Sequence, residues 1–512
     1  MNFRFIIRCL GILIFLVIGV MVAPMAISFY DLWHLPNIGN SAVAGAFLLS
    51  AAIGMGAGGL FLVWAGGETG KVETREALFL VTLTYVCCGL VSALPFYIWA
   101  SMLPDELGKT FEFYSFTNSL FESVSGVTTT GASILTDIER LPRAILFWRA
   151  IIQWMGGLGI ILVFVAVLPW IATGKMKIYK AESSGIGDSG SANIQDTARN
   201  LWFVYCFLTL AQIILLLLGD SDLDLFGAST MAFSAMATAG FSIFNQSAGG
   251  LTVFNQWVCI IFMFLSGVNY SLYCGLLKKR WSALYKDPEL RLYVAIVGFA
   301  SLAIAIDIYG TSYTSMDGSP ADNGAWASLT NGAFQAVSIQ TTTGFSNTNS
   351  DGFSVFSKMI LVTLMFVGGC GGSTGGGLKV VRVMSALKMI LHELEKIYRP
   401  SVVRPILIGG KPLASKVRQG VLVHIVLVFF LSFVGAMALA VLEPKFDFVT
   451  IGTAAVACLN NIGPGFAAVG VTQNYFEFSD PSKFLLLVLM ILGRLEVFTV
   501  LALFLPRFWG RR

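Results

Sequence analysis

Four short segments of the chain end in glycine and could hold a bare cation: Thr128-Thr129-Thr130-Gly131, Ala237-Thr238-Ala239-Gly240, Thr341-Thr342-Thr343-Gly344 and Asn460-Asn461-Ile462-Gly463. Backbone carbonyls of a tight Thr-Thr-Gly stretch can stand in for the hydration shell of an alkali ion. Glycine is needed where such a backbone takes dihedrals that a Cβ forbids. One Thr-Gly step is an ordinary turn. Here the four glycines lie 109, 104 and 119 residues apart, each after a similar amphipathic stretch and before a further apolar run, so they are read as copies of one unit.

A second group of residues suggests control of such a path. Gly368, Gly369, Cys370, Gly371, Gly372, Ser373, Thr374, Gly375, Gly376 and Gly377 place seven glycines in ten positions of an otherwise apolar run. Each glycine costs a helix about 1 kcal/mol relative to alanine, so an intramembrane loop is expected there, with Lys379 directly after it. Arg494 is a lone cation deep in the last apolar run, where such residues face a cavity or a partner. Glu496, two positions on, points to another face. Arg494 is therefore expected to reach into the pore and bind carbonyls of the glycine loop, raising a barrier to cations.

Elements able to position these residues follow from the hydropathy. The 512 residues are 56% hydrophobic and 12% charged, with mean hydropathy +0.77, against about 25% charged in a soluble domain. Ten runs near the length needed to span a bilayer are expected at about 5–29, 42–64, 77–100, 144–173, 201–218, 254–277, 292–309, 355–391, 417–442 and 484–508. The stretches at 111–127, 223–236, 325–339 and 446–459 are too short and polar to span. They read as half-helices that enter and turn back, each aiming the negative end of its dipole at the ion path. The expected fold is an all-α polytopic membrane protein: an N-terminal two-helix hairpin (1–68), then helix–pore-loop–helix repeats at 69–185, 186–285, 286–411 and 412–512 around a central pore.

If alternate loops fall on opposite sides, 25 Lys and Arg share the side of the N-terminus and 7 lie opposite, while 10 acidic residues face 18. The positive-inside rule then puts both termini in the cytoplasm. The acidic outer face would concentrate cations at its mouth. The basic stretch 379–418 offers a docking face for an acidic partner or lipid headgroups. A net charge of +4 is too small to suggest nucleic acid. The eight cysteines lie almost all in apolar runs, without disulfide or zinc spacing, and read as small core residues.

On the four Thr/Asn-to-Gly segments, the glycine-rich break and Arg494, the chain resembles the TrkH/TrkG and KtrB potassium transporters along nearly its whole length. The two spans before Glu68 resemble the extra hairpin of the TrkH/TrkG branch. The resemblance implies potassium as the transported ion, with Gly131, Gly240, Gly344 and Gly463 as the filter glycines that mark potassium preference. It also implies a gating loop at 368–377 opposed by Arg494, a location in the bacterial inner membrane, and a homodimer with a cytosolic nucleotide-binding regulatory subunit of the TrkA kind. Any nucleotide is expected on that partner alone, and no covalently bound cofactor here. Departures are Ala132, Phe241, Phe345 and Pro464 after the glycines, in place of a longer Gly-Tyr-Gly run, and the Asn460-Asn461 pair of the fourth filter.

Two other readings were weighed. A proton-coupled potassium symporter on the same fold needs intramembrane relays, and the inventory is thin: Glu122, Glu496 and His424. A membrane-embedded hydrolase would use Asp188 of Gly185-Ile186-Gly187-Asp188 with Asp31, which the charge count puts on opposite sides; no Ser/His/Asp constellation converges. Gly54 to Gly59 and Gly185 to Gly190 match G-x-G-x-x-G without the strand and helix that give that pattern meaning.

Overall fold

Long apolar stretches with few charges can bury their backbone polarity in lipid only as helices, and helices are what the chain forms. The computed structural model describes residues 1–34, 38–66, 73–171, 194–220, 223–277, 281–400 and 405–510. The Gly185–Asp188 motif, the G-x-G-x-x-G match beside it and the boundaries drawn near 68 and 185 lie outside the described residues.

Six described helices are long and apolar enough to cross a membrane. They are α1 (Phe3–His34), α2 (Ile38–Ala65), α3 (Thr74–Met102), α6 (Ile194–Gly219), α10 (Pro288–Ile308) and α14 (Ser415–Leu442). The 29-residue α5 (Arg143–Ile171) is equally long. Between these lie four shorter helices: α4 (Phe116–Val127), α7 (Leu225–Met236), α11 (Ala325–Gln340) and α15 (Phe448–Asn460). At 12 to 16 residues they reach about 18–24 Å, short of the roughly 30 Å hydrocarbon core. Two of them start on caps the sequence supplies: Asp224 accepts from the Gly227 amide at 2.7 Å and Asp447 from the Thr450 amide at 3.0 Å. The Thr450 hydroxyl and amide beside Asp447 hold its carboxyl below the usual carboxylate range.

The remaining helices are broken. α8 (Val253–Ser266) and α9 (Tyr270–Leu277) meet at 93°, and α16 (Asp480–Arg494) turns by 115° into α17 (Val497–Leu501). The expectation of continuous helices at 254–277 and 484–508 is therefore corrected. The first break survives because its freed backbone finds partners: the Gly267 carbonyl accepts from the Cys370 amide at 2.9 Å and the Tyr270 amide donates to Gly372 O at 3.1 Å. The second turns on Glu496, at φ +54°. The third run divides as expected, into α12 (Val355–Phe366) and α13 (Val380–Tyr398). A two-residue hairpin, Leu407–Ile408 with Lys411–Pro412, follows α13.

Packing closes these elements into a ring. Each half-helix lies between the helices of its own unit and touches the second helix of the preceding one: α7 meets α5, α11 meets α8, α15 meets α12, and α4 meets α16. The α1–α2 hairpin stands outside, against α3. All eight cysteines are free; Cys88, Cys259, Cys370 and Cys458 are buried.

Glu122 on α4 and Arg149 on α5 form a buried ion pair, with Arg149 Nη2 2.7 Å and Nε 2.9 Å from Glu122 Oε1. Glu122 also accepts from the Ser133 hydroxyl at 2.9 Å and the Ile134 amide at 3.0 Å. Arg149 donates to Ser242 O at 3.1 Å and lies over the Phe241 ring. One pair thus fixes the chain just beyond both Gly131 and Gly240. Removing one partner of such a pair leaves an uncompensated buried charge, so Glu122→Gln or Arg149→Met should each cost about 3 kcal/mol or more. Unfolding of the detergent-purified variants checks this; a cost below about 1 kcal/mol would mean the pair is not holding the ring.

Candidate ion site

At the C-terminal end of each half-helix the backbone makes the same excursion four times. The second residue of each segment has positive φ, Thr129 at +54°, Thr238 at +52°, Thr342 at +61° and Asn461 at +56°. The closing glycines follow at +81°, +77°, +82° and +98° for Gly131, Gly240, Gly344 and Gly463. The third amide of every segment reaches back to the same place in its half-helix: Thr130 to Ser125 O, Ala239 to Ser234 O, Thr343 to Ser338 O and Ile462 to Ala457 O, at 2.8 to 3.0 Å. Alternating handedness makes successive carbonyls of such a segment diverge from the helical direction. The half-helix leaves its own last carbonyls beside them, the negative end of its dipole.

The glycines interlock around a circle. A Cβ built on Gly131 would lie 2.0 Å from Ala239 O, one on Gly240 2.1 Å from Thr343 O, one on Gly344 2.0 Å from Ile462 O, and one on Gly463 2.7 Å from Thr130 O. Each unit's glycine thus abuts the third carbonyl of the next unit, and the fourth returns to the first. Four buried segments surround one axis, which is the geometry a carbonyl cage for a dehydrated cation requires.

The four are not equivalent. Thr128 and Thr130 share a hydroxyl–hydroxyl bond of 2.8 Å and Thr341 and Thr343 one of 2.7 Å. In the fourth segment Asn461 turns its amide outward, donating to Thr130 Oγ1 and Met490 O at 2.9 Å each. Two residues missed by sequence reasoning also touch filter carbonyls. Gln153 of α5 donates to Ala239 O at 2.9 Å, and the Tyr475 hydroxyl donates to Gly463 O at 2.8 Å. Gln153, a lone amide in an apolar helix, carried a signal; Tyr475 carried none.

The glycine-rich segment packs against the half-helix end of the ring. Its base is closed by Gly368 N to Leu378 O at 2.9 Å and Leu378 N to Phe366 O at 3.2 Å. Gly369 lies against Gly267, and Gly372 against Asn269 at the break of the second unit. Its tip runs under two filters. A Cβ on Gly375 would be 2.9 Å from Thr341 O and one on Gly376 2.5 Å from Asn460 O, while the Gly376 amide donates to Thr342 Oγ1 at 2.6 Å. Thr374 donates to Met236 O and Ser266 O, each at 3.2 Å. The Ser373 hydroxyl and the Lys379 ammonium bond inside the segment, to Cys370 O and Gly375 O.

Arg494 closes this arrangement from the fourth unit. Buried at 5% exposure, it donates from Nη1 to Thr374 O and from Nη2 to Gly156 O, both at 2.8 Å. Gly156 sits where α5 crosses the first filter, a Cβ there falling 2.3 Å from Val127 O. Glu496 turns away to Arg382 at the start of α13, at 2.6 Å, and Arg382 also reaches the His424 ring at 3.0 Å. Among the described residues no His, Cys, Asp or Glu cluster suits a bound transition metal or divalent ion.

A family model described as "TrkH: Cation transport protein" matches residues 99–511. The chain is 34% identical to the Trk system potassium uptake protein TrkH of Escherichia coli, over 99% of this chain and 100% of that one. It is 32% identical to the TrkH of Halomonas elongata over the full length of both. Among solved structures, the potassium transporter TrkH from Vibrio parahaemolyticus superposes with a TM-score of 0.84 at 28% identity, covering both chains completely.

Close backbone approach makes one position a sensitive probe of this packing. A Cβ on Gly493, next to Arg494, would sit 1.8 Å from Leu459 O, whereas one on Gly452 meets nothing within 4 Å. Gly493→Ala should therefore unfold at a clearly lower temperature than the parent protein in detergent, and Gly452→Ala at a similar or slightly higher one. Equal melting of the two variants would mean that α16 does not press against the fourth filter.

Proposed function

Because the chain belongs to the TrkH family of cation transport proteins, we propose that its ring of four Thr/Asn-to-Gly segments is a potassium filter, feeding uptake down the electrochemical gradient of that ion. The multi-pass chain is a transport protein and not an enzyme. The observation that carries the reading is the closed circle of glycine-to-carbonyl contacts. It gathers four sets of backbone oxygens with no Cβ between them, a cage suited to a monovalent ion stripped of water. The ring of potassium-named relatives supports the choice of ion.

The loop 368–377 and Arg494 form the gate. Thr374, Gly375 and Gly376 lie across the half-helix end of the path, and the guanidinium that holds Thr374 O adds positive charge where a cation must pass. Glu122 is committed to Arg149, and Glu496 to Arg382, which supports a channel-like path over one that relays protons. The positive-inside count supports a cytoplasmic position for both termini and for the gate side. A homodimer and a cytosolic nucleotide-binding subunit are what the family resemblance implies for its assembly in the bacterial inner membrane.

Tracer rubidium uptake into potassium-loaded proteoliposomes tests the reading. Uptake should follow the potassium gradient, be competed by potassium more than by sodium, and persist when a proton gradient is collapsed. Loss of uptake on that collapse would replace the channel-like path with proton-coupled symport. Gly131→Ala, Gly240→Ala and Gly344→Ala should abolish uptake in assembled protein. Gly463→Ala, whose added carbon meets Thr130 O at 2.7 Å rather than 2.0 to 2.1 Å, should retain the most.

Arg494→Ala should raise basal uptake roughly tenfold, since it deletes the charge-assisted hydrogen bond to the loop at Thr374 O and the one to Gly156 O of α5 as well as the charge. Unchanged uptake in a folded variant would remove Arg494 from the gate.

A further inference from the structure

The loop also has an acidic contact, from a unit other than that of Arg494. Glu289 lies in the first turn of α10 and is buried at 6% exposure. Its Oε1 accepts two amides far away in sequence, Gly371 N in the middle of the loop at 2.6 Å and Val381 N in the first turn of α13 at 3.0 Å. The Gly371 contact is the only one among the described residues in which a carboxylate holds the loop backbone. The Arg494 guanidinium grips the loop through a carbonyl and the Glu289 carboxylate through an amide, so the segment is held by opposite charges on two units.

We infer that Glu289 is a positioning residue of the gate, a carboxylate clamp that keeps the 368–377 loop closed by tying its middle to the start of the helix that follows it. The inference rests on reading that loop as the gate. Its mechanics follow from what the two amides belong to. For the loop tip to leave the filter, Gly371 must move relative to α13, and one oxygen bonded to both resists that motion. The Oε1 atom is shared by the two amides, so any motion that parts Gly371 from Val381 must break at least one of the bonds. The clamp also stands where load would arrive. Asp287 caps α10 by accepting from the Leu290 amide at 2.8 Å, directly after the short helix Ser282–Lys286, in which Tyr285 is exposed, as is Trp281 just before it. A displacement of that connection carries Glu289 with it and draws on the loop.

Glu289→Gln is nearly isosteric and keeps one oxygen able to accept both N–H groups, but that oxygen is a weaker, uncharged acceptor. Glu289→Asp keeps the charge and shortens the reach. Both are compared with Arg494→Ala by rubidium uptake in proteoliposomes. Labelling of the native Cys370, buried inside the loop, by a membrane-impermeant maleimide is read by peptide mass spectrometry. Glu289→Gln should raise basal uptake roughly tenfold without altering the competition between potassium and sodium, and should speed Cys370 labelling; Glu289→Asp should move both in the same direction by less.

If Arg494→Ala raises uptake while both Glu289 variants keep parental uptake and labelling, the clamp is wrong and the gate reading stands. If the Glu289 variants only melt earlier and transport less, Glu289 is a helix cap for α13 and the inference fails. If Arg494→Ala and the Glu289 variants all leave uptake unchanged, the gate reading falls and the clamp with it. Should Glu289→Gln fail to assemble, Glu289→Asp with the Cys370 readout decides alone.

Discussion

The structure depends on one steric constraint: four times over, a glycine Cα must lie against the backbone carbonyl of the next unit, where a methyl group would fall 2.0 to 2.7 Å from oxygen. Everything around the ring serves that approach. The half-helices are short so that they can end at mid-depth, and residues such as Ser338, Ala454 and Ala235 at their inner ends are wholly buried. Second helices come close through their own glycines. Gly156 meets Val127 O and Gly493 meets Leu459 O, while Gly126 of the half-helix α4 makes room for Ile152. In lipid there is no hydrophobic drive between helices, and small residues that permit backbone contact supply the packing instead. Free carbonyls at membrane depth are tolerable because they face one another across a path that a cation can occupy.

Fourfold repetition at the filter gives way to four different supports behind it. The first unit uses the Glu122–Arg149 pair, the second the Gln153 amide, and the fourth the Asn461 and Tyr475 side chains. The third uses Gln335, which donates to Ser346 Oγ at 2.6 Å within a cluster of buried amides and hydroxyls. A single chain can differentiate its copies in this way, and the proposed gate draws on the difference. Only the third unit's second helix opens into a long glycine loop, and only the fourth carries a buried arginine at its break. The loop touches filters two, three and four, and Arg494 adds the first through Gly156 O. Closing the path therefore engages every unit.

Much of this was legible in the sequence because it is written in composition and period. Half-helices, filter glycines and the seven-glycine break are local signals that no tertiary context reverses, and the positions at 111–127, 223–236, 325–339 and 446–459 agree with the helices found to within a few residues. What stayed hidden depends on partners distant in the chain. The breaks after Gly267 and Arg494 lie in runs whose apolar period continues across them, so hydropathy reads them as straight. At the first the freed backbone groups bond to the loop, and at the second the side chains of Arg494 and Glu496 bond to other units. Glu289 looked like one more acid in a charged connection, since nothing nearby announces that it folds inward onto Gly371 and Val381. Gln153 and Tyr475 likewise acquire meaning only from carbonyls more than ten residues away.

The electrostatics of the proposed gate follow from what Arg494 is not paired with. A guanidinium facing a carboxylate makes a local dipole whose field fades quickly, and a passing cation would feel little of it. Here both Arg494 contacts are neutral carbonyls, and its Nε has no partner among the described residues. The nearest carboxylate in sequence, Glu496, is swung off by its positive-φ turn and consumed by Arg382. Arg494 therefore keeps a net positive charge in a region of low dielectric, where an unscreened charge acts over a longer range than in water. That placement is costly for the fold. The Gly156 carbonyl of α5 offsets part of that cost independently of the loop, and Thr374 O only while the loop keeps its place, so in the proposed gate the Thr374 bond both stabilises the guanidinium and holds the loop across the path.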